Sequence, residues 1–243
     1  MSLAAWVVMP TFNEAENIEP VAAAVLGALE GCSPGEHRLL IVDDSSPDGT
    51  GELADRLAAA NPAVEVLHRR VREGLGPAYL AGFRRALDGG ASHIFEMDAD
   101  FSHDPGDLPR LLAAVADGAD VALGSRYVPG GGVEDWGLLR QIVSRAGCIY
   151  ARAVLGLRVR DLTGGFKCFR REVLEAIELE TVRSHGYCFQ IELTQRALQA
   201  GFAVREVPIV FRDRRHGHSK MSPRIAIEAF LVLPQLRWGR TRR

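Results

Sequence analysis

The chain has 243 residues, 47% hydrophobic and 25% charged, an ordinary composition for a globular protein and length enough for a substantial core. A formal net charge of -2 excludes a global pull on nucleic acid, and no apolar stretch approaches the ~20 residues that span a bilayer. Cys32, Cys148, Cys168 and Cys188 stand far apart with no Cys-x-x-Cys pair, which argues against a zinc or thioredoxin-like site and predicts reduced thiols.

The N-terminus, Met1 to Trp6, has no basic region or cleavage pattern, so no secretory signal is expected. Trp6–Met9 reads as a first strand, ended by Pro10. Asn17–Glu30 follows with Ile18, Val21, Val25, Leu26 and Leu29 at helical spacing. Leu39–Val42 is a second strand, and Gly51–Ala60 a helix closed by Asn61-Pro62. Val64–Leu67, Ile94–Met97 and Val121–Leu123 are three further strands, with helices over Leu75–Leu87 and Leu108–Ala116 between them. Fully apolar strands between helices imply an α/β fold, its mainly parallel sheet covered on both faces. The second half is less regular. It holds the turn Gly130–Gly132, a long amphipathic helix over Leu138–Leu155, a loop Asp161–Lys167 running into a short apolar stretch, and a helix over Phe189–Ala200. A strand over Val204–Phe211 closes it, with Pro208 marking an edge or bulge.

In such sheets ligands bind beyond the carboxyl ends of the strands. The polar residues obey that rule. Pro10–Glu14 follows the first strand, Asp43–Thr50 the second, Arg69–Gly76 the third, Asp98–Asp100 the fourth and Gly124–Tyr127 the fifth. Asp98 and Asp100, two apart at a strand end, share one face and can close on a hard cation, Mg²⁺ or Mn²⁺. Taken alone, the same doublet also reads as a pair of solvated carboxylates. The first strand lacks Gly-x-Gly-x-x-Gly, and Gly74-Leu75-Gly76 lacks a following Gly-Lys-Ser/Thr, so neither a dinucleotide fold nor a P-loop is expected. Glu14 and the Asp43-Asp44 pair instead suit ribose hydroxyls and base amines, which carboxylates accept from. Arg212–Lys220, dense in cations around Gly217, reads either as a solvated loop or as a flap that grips phosphate.

Pro10-Thr11-Phe12-Asn13-Glu14, Val42–Thr50, Met97-Asp98-Ala99-Asp100, Ser125-Arg126-Tyr127, Leu162–Lys167 and Arg214–Lys220 occur in order. Together they resemble the polyprenyl-phosphate (dolichyl-phosphate) mannose synthases, inverting glycosyltransferases of the GT-A fold, over Trp6 to Lys220. The resemblance implies transfer of mannose from GDP-mannose to a polyprenyl or dolichyl phosphate. Pro10, Phe12, Glu14, Val42 and Asp44 are then expected at the nucleoside, Phe12 standing where many relatives have tyrosine. Asp98, Ala99 and Asp100 are expected at metal and diphosphate, with Ser102 as a further metal ligand where some relatives supply glutamine. Arg126 is expected at donor or acceptor phosphate, Ser125 and Arg140 at the acceptor phosphate, Gln190 at the donor, and Arg214 and Lys220 in a closing flap. Asp100, Arg126 and Arg214 are the catalytic candidates. No general base is expected, because a phosphate monoester is already largely ionised; Asp161 and Glu192 are read as structural, and His68 and His103 as satisfied polar residues.

A lipid acceptor implies a membrane surface. Residues 1–221 are expected as a single domain. Residues 222–243, apolar with Trp238 and a basic end, form a tail that suits either an interfacial helix or a last helix packed on the sheet. The expected location is cytoplasmic, peripheral on the cytosolic face of a membrane, where a separate membrane-anchoring protein could recruit the chain. Two alternatives stay open: a glucosyl transferase using UDP-glucose, and a non-catalytic scaffold that binds nucleotide sugars.

Overall fold

A computed structural model describes residues 4–33, 35–184, 186–213, 233–234 and 236–237. The first half alternates as expected: β1 (Ala5–Thr11), α1 (Ile18–Cys32), β2 (His37–Asp43), α2 (Thr50–Ala60), β3 (Val64–His68), α3 (Leu75–Asp88), β4 (His93–Glu96), α4 (Leu108–Ala116) and β5 (Val121–Ser125). Then come β6 (Gly132–Val133), α5 (Leu138–Leu155), β7 (Lys167–Arg170), α6 (Arg171–Ala176), α7 (Gly186–Gln199), β8 (Val204–Pro208) and β9 (Val210–Phe211).

Seven strands form one sheet in the order β3-β2-β1-β4-β7-β5-β8. Every neighbouring pair is parallel except those involving β7, which runs antiparallel to both β4 and β5. Side chains alternate across the sheet, as strand geometry requires. Val7, Met9, Leu39 and Ile41 face one core with Val21, Val25 and Leu29 of α1. Trp6, Val8, Leu40 and Val42 face the other with Tyr79 and Phe83 of α3 and Phe189 of α7. Gly82 lets α3 approach the sheet closely, since a Cβ there would lie 2.3 Å from Val8 Cγ1.

Two departures from the expected elements concern the second half of the sheet. The stretch into which the Asp161–Lys167 loop runs is a sheet strand, β7, and the single strand expected over Val204–Phe211 is two. β8 is an edge strand ending at Pro208, which has no N–H for a further ladder bond, and β9 crosses to a small two-stranded sheet with β6. The boundary expected at 221–222, and Arg214 and Lys220, lie outside the described residues. Of the tail, Leu233 is buried against Leu123, Ala151 and Ile191, and Leu236 packs against the same cluster. No helix among the described residues is long and apolar enough to cross a membrane.

Candidate active site

The chain runs from β1 outward through β2 to β3, then returns to place β4 on the other side of β1. That reversal opens a crevice beyond the carboxyl ends of β1 and β4. A cavity of about 280 Å³ lies there. Its floor is the loop after β4, with Asp98, Ala99, Asp100 and Ser102 all in the wall.

This loop is held from behind. The Tyr79 hydroxyl, buried on α3, donates to Asp98 Oδ1 at 3.1 Å. Burial first, and then the Asp98 charge, push the Tyr79 phenol well above its ordinary value, so it stays a donor. The Asp98 amide donates to His103 Nδ1 at 3.2 Å, which fixes the neutral imidazole with its proton on Nε2. Burial holds the His103 pKa down. The Ser102 amide donates to Asp100 Oδ1 at 3.0 Å, and Phe101 between them takes φ 60°, the backbone turn that makes this contact. Ser102 Oγ is buried and is an oxygen without a hydrogen-bond partner. Two carboxylates and an orphaned hydroxyl are a donor set of hard oxygens that fits Mg²⁺ or Mn²⁺. Among the described residues no third His, Cys, Asp or Glu joins them as a metal-holding group.

Beside this floor is the acidic pole. Pro10, Phe12 and Glu14 line the cavity after β1, and Asp44 after β2. The two loops are pinned together: Asn13 N donates to Ser46 Oγ at 3.1 Å, Glu14 N to Thr50 Oγ1 at 2.9 Å and Ala15 N to Asp48 Oδ2 at 3.1 Å. Asp44 is buried and takes Arg69 Nη1 at 2.5 Å and the Gly74 amide at 3.1 Å. The Arg72 guanidinium lies 3.7 Å from the Phe12 ring centroid, covering the face expected to meet a base. Such a contact is worth about 0.5–2 kcal/mol, an amount that a stacked ligand can replace.

Another part of the lining is cationic. Arg126 and Arg140 both line the cavity, and both guanidiniums stand over the buried Trp136 ring, at 5.6 and 4.0 Å from its centroid. Arg126 grips Asp161 bidentately at 2.6 and 2.7 Å and donates to Thr163 Oγ1 at 2.8 Å. Burial opposes ionisation of Asp161, yet Arg126 prevails and holds its carboxyl below the usual range. Arg140 pairs with Asp213 at 3.0 Å.

Gly164, Gly165 and Gln190 form a further part of the wall. Lys167 is fully buried, donates to Glu96 Oε1 at 2.6 Å and bonds Gln190 Oε1. An ammonium only donates, so the Gln190 carboxamide must turn its oxygen to Lys167 and its NH₂ elsewhere. Burial raises Glu96 to about 7 against the pull of Lys167, and burial lowers Lys167 against the pull of Glu96.

The structure thus brings most of the predicted residues into one cavity, and leaves two out. Val42 is buried on the α3 side of the sheet, and Ser125 is buried with its hydroxyl donating to Glu206 at 2.7 Å. Neither lines the cavity. Asp161 and Glu192 are both paired with arginines, with Arg126 at 2.6 Å and with Arg196 at 2.5 Å. Arg69, Tyr79, Trp136 and the Lys167–Glu96 pair were not foreseen as parts of the site. Arg69 had a signal in its place after the third strand. Trp136 had one in lying just ahead of the helix that carries Arg140.

Comparison with known proteins bears on this geometry. A family model described as glycosyl transferase family 2 matches residues 6–178. The chain is 50% identical over 234 residues to the polyprenol monophosphomannose synthase of Mycolicibacterium smegmatis, covering 96% of this chain and 86% of that one. It is 47% identical over 232 residues to the undecaprenyl-phosphate mannosyltransferase of Micrococcus luteus, covering 96% and 92%. Among solved structures it superposes with TM-score 0.68 on glucosyl-3-phosphoglycerate synthase from Mycobacterium tuberculosis in complex with Mn²⁺ and UDP-glucose. That match covers 96% of this chain and 79% of the other and, at 20% identity, concerns the fold alone.

Proposed function

The chain belongs to glycosyl transferase family 2, and on that footing we propose that it transfers mannose from GDP-mannose to a polyprenyl or dolichyl monophosphate. The observation that carries this reading is the presence, in the lining of one cavity, of Asp98 and Asp100 together with Arg126 and Arg140. A nucleoside diphosphate needs the first pair, and an incoming phosphate monoester needs the second.

Glu14 and Asp44 accept from the nucleoside, and Phe12 offers its ring face. Asp98, Asp100 and Ser102 would hold Mg²⁺ or Mn²⁺, which when bound neutralises the departing diphosphate. Arg126 and Arg140, aligned on Trp136, aim the acceptor phosphate. One of its oxygens forms the new bond to the anomeric carbon as the bond from that carbon to the diphosphate breaks, and GDP leaves with the electron pair. A single in-line displacement inverts the carbon, giving a β-linked mannosyl phospholipid from an α-linked donor. The nucleophile arrives ionised, so positioning does the work that a base does elsewhere. The pairing of Asp161 and Glu192 with arginines agrees with this. A lipid acceptor supports a reaction at a membrane; the cytosolic face and a separate anchoring protein that could hold the chain there are part of the same proposal.

The test is incubation with labelled GDP-mannose, Mg²⁺ or Mn²⁺ and a polyprenyl phosphate. Label should enter the organic phase with the wild type and be lost in a folded Asp100→Ala variant. Transfer from UDP-glucose in place of GDP-mannose would overturn the donor. No transfer to any lipid phosphate would overturn the activity.

A further inference from the structure

Taking two charges out of water offsets most of their attraction, so apolar residues of similar volume usually serve stability as well as a buried ion pair does. Lys167 on β7 and Glu96 on β4 are such a pair, fully buried and directly opposite each other in the strand register. The third member of the cluster shows what the charges do besides hold the sheet. Gln190 of α7 meets both of them. Its carboxamide oxygen accepts from the Lys167 ammonium. Burial raises the Glu96 pKa, and Lys167 and Gln190 pull it back, Gln190 as a hydrogen-bond donor. An ammonium only donates and an ionised carboxylate only accepts. Of the two orientations that a carboxamide reaches by turning over, the pair therefore allows one.

That orientation brings the NH₂ to the cavity. A Cβ added at Gly165 would have Gln190 Nε2 as its nearest atom beyond the chain neighbours, at 3.1 Å. Gly165 and Gln190 both line the cavity. Gly165 has no positive φ, so what its missing side chain provides is space beside the NH₂. An NH₂ carries two protons, and with one turned to Glu96 the other is left for a ligand. The same Cβ would lie 3.9 Å from His103 Cε1, and His103 Nδ1 accepts from the Asp98 amide. The NH₂ thus stands beside the Asp98–Asp100 loop, where the sugar of a nucleotide sugar follows its diphosphate.

We propose that Lys167 and Glu96 are positioning residues that hold the Gln190 NH₂ toward the donor sugar, where it donates to one hydroxyl oxygen of the hexose and takes part in selecting it. This rests on the reading that the donor is a nucleotide hexose. A site built to bond a hydroxyl penalises the analogue that lacks it, because its own buried group is left unpaired.

The test compares kcat/KM for transfer to a polyprenyl phosphate from GDP-mannose and from each of its monodeoxy analogues. The proteins are the full wild-type chain, Gln190→Leu, Gly165→Ala and Glu96→Gln/Lys167→Met. In Gln190→Leu, transfer from GDP-mannose should fall about tenfold, while one analogue, the one lacking the bonded hydroxyl, should lose nothing. Gly165→Ala and the double variant should spare that same analogue, with KM for the polyprenyl phosphate unchanged. Equal losses for every donor in the double variant, the mark of a merely structural pair, or no spared analogue in Gln190→Leu would overturn the proposal. Should the double variant not fold, Lys167→Met and Gly165→Ala carry the same comparison. Transfer only from UDP-glucose would sink the mannose donor, and UDP-glucose with its monodeoxy analogues would then decide the role of the amide. Transfer to no lipid phosphate would sink the activity, and calorimetric affinities for the same donors, which need no acceptor, would decide it instead.

Discussion

Lys167→Met should cost about 3–5 kcal/mol, the range for removing one partner of a buried ion pair. Lys167 and Glu96 are both fully buried, the ammonium 2.6 Å from Glu96 Oε1. Without the ammonium the stranded carboxylate escapes by taking up a proton. At pH 7, protonating a group whose unfolded value is about 4.3 costs about 3.7 kcal/mol, and losing the Gln190 bond adds about 1 kcal/mol. Against a total stability of about 5–15 kcal/mol this is severe without being fatal.

The pH dependence makes the reasoning specific. In Lys167→Met the native state holds a proton on Glu96 that the unfolded state releases above about pH 4.3, so this contribution to stability is present at low pH and lost as pH rises. The Glu96→Gln/Lys167→Met double variant has no such proton. Urea unfolding of the two variants, in chelator, should show a gap that widens by about 1.4 kcal/mol per pH unit between pH 5 and the native value. A gap that stays constant with pH, or stays below about 1 kcal/mol at pH 7.5, would refute the argument.

Arg69→Met removes the cation that orients Asp44, so KM for the nucleotide sugar should rise about 5–30-fold while kcat holds, as steady-state kinetics would show. Gly82→Ala puts a Cβ 2.3 Å from Val8 Cγ1 and should cost about 1–3 kcal/mol, lowering Tm by about 2–4 °C per kcal/mol in thermal melts. His93 has its pKa held down by burial and then by Arg170, so the unfolded state binds a proton first as pH falls below about 6.5. Stability should drop with acid in that window, and His93→Gln should flatten the drop in unfolding measured from pH 7 to 5.

The parallel part of the sheet was legible because each strand is an apolar run bounded by turn residues, and the helices between them carry a 3.6-residue period. β7 was not legible, and the reason is physical. Its first residue is a lysine, which reads as exposed, yet Lys167 is fully buried because Glu96 on the neighbouring strand neutralises it. That partner lies 71 positions away, and no local pattern reports it. The division of β8 from β9 was half visible, since Pro208 marked an edge without saying that the chain would leave the sheet there.

The site divides the same way. Residues on the loops beyond the strand ends could be read from position alone, and those loops supply Glu14, Asp44, Asp98 and Asp100. Val42 misled because it belongs to the strand itself: one residue short of the strand end, alternation points it at the α3 side of the sheet. Ser125 misled for a related reason, its hydroxyl being taken by Glu206 on β8, a strand paired with β5 only in three dimensions. The residues not singled out for the site act on the predicted ones. Tyr79 reaches Asp98 from inside a helix, Arg69 turns Asp44, and Trp136 aligns two arginines fourteen positions apart. A sequence displays which groups can do chemistry. What restricts each of them to one orientation is a neighbour brought in by topology, and in this cavity that neighbour comes from another element at nearly every turn.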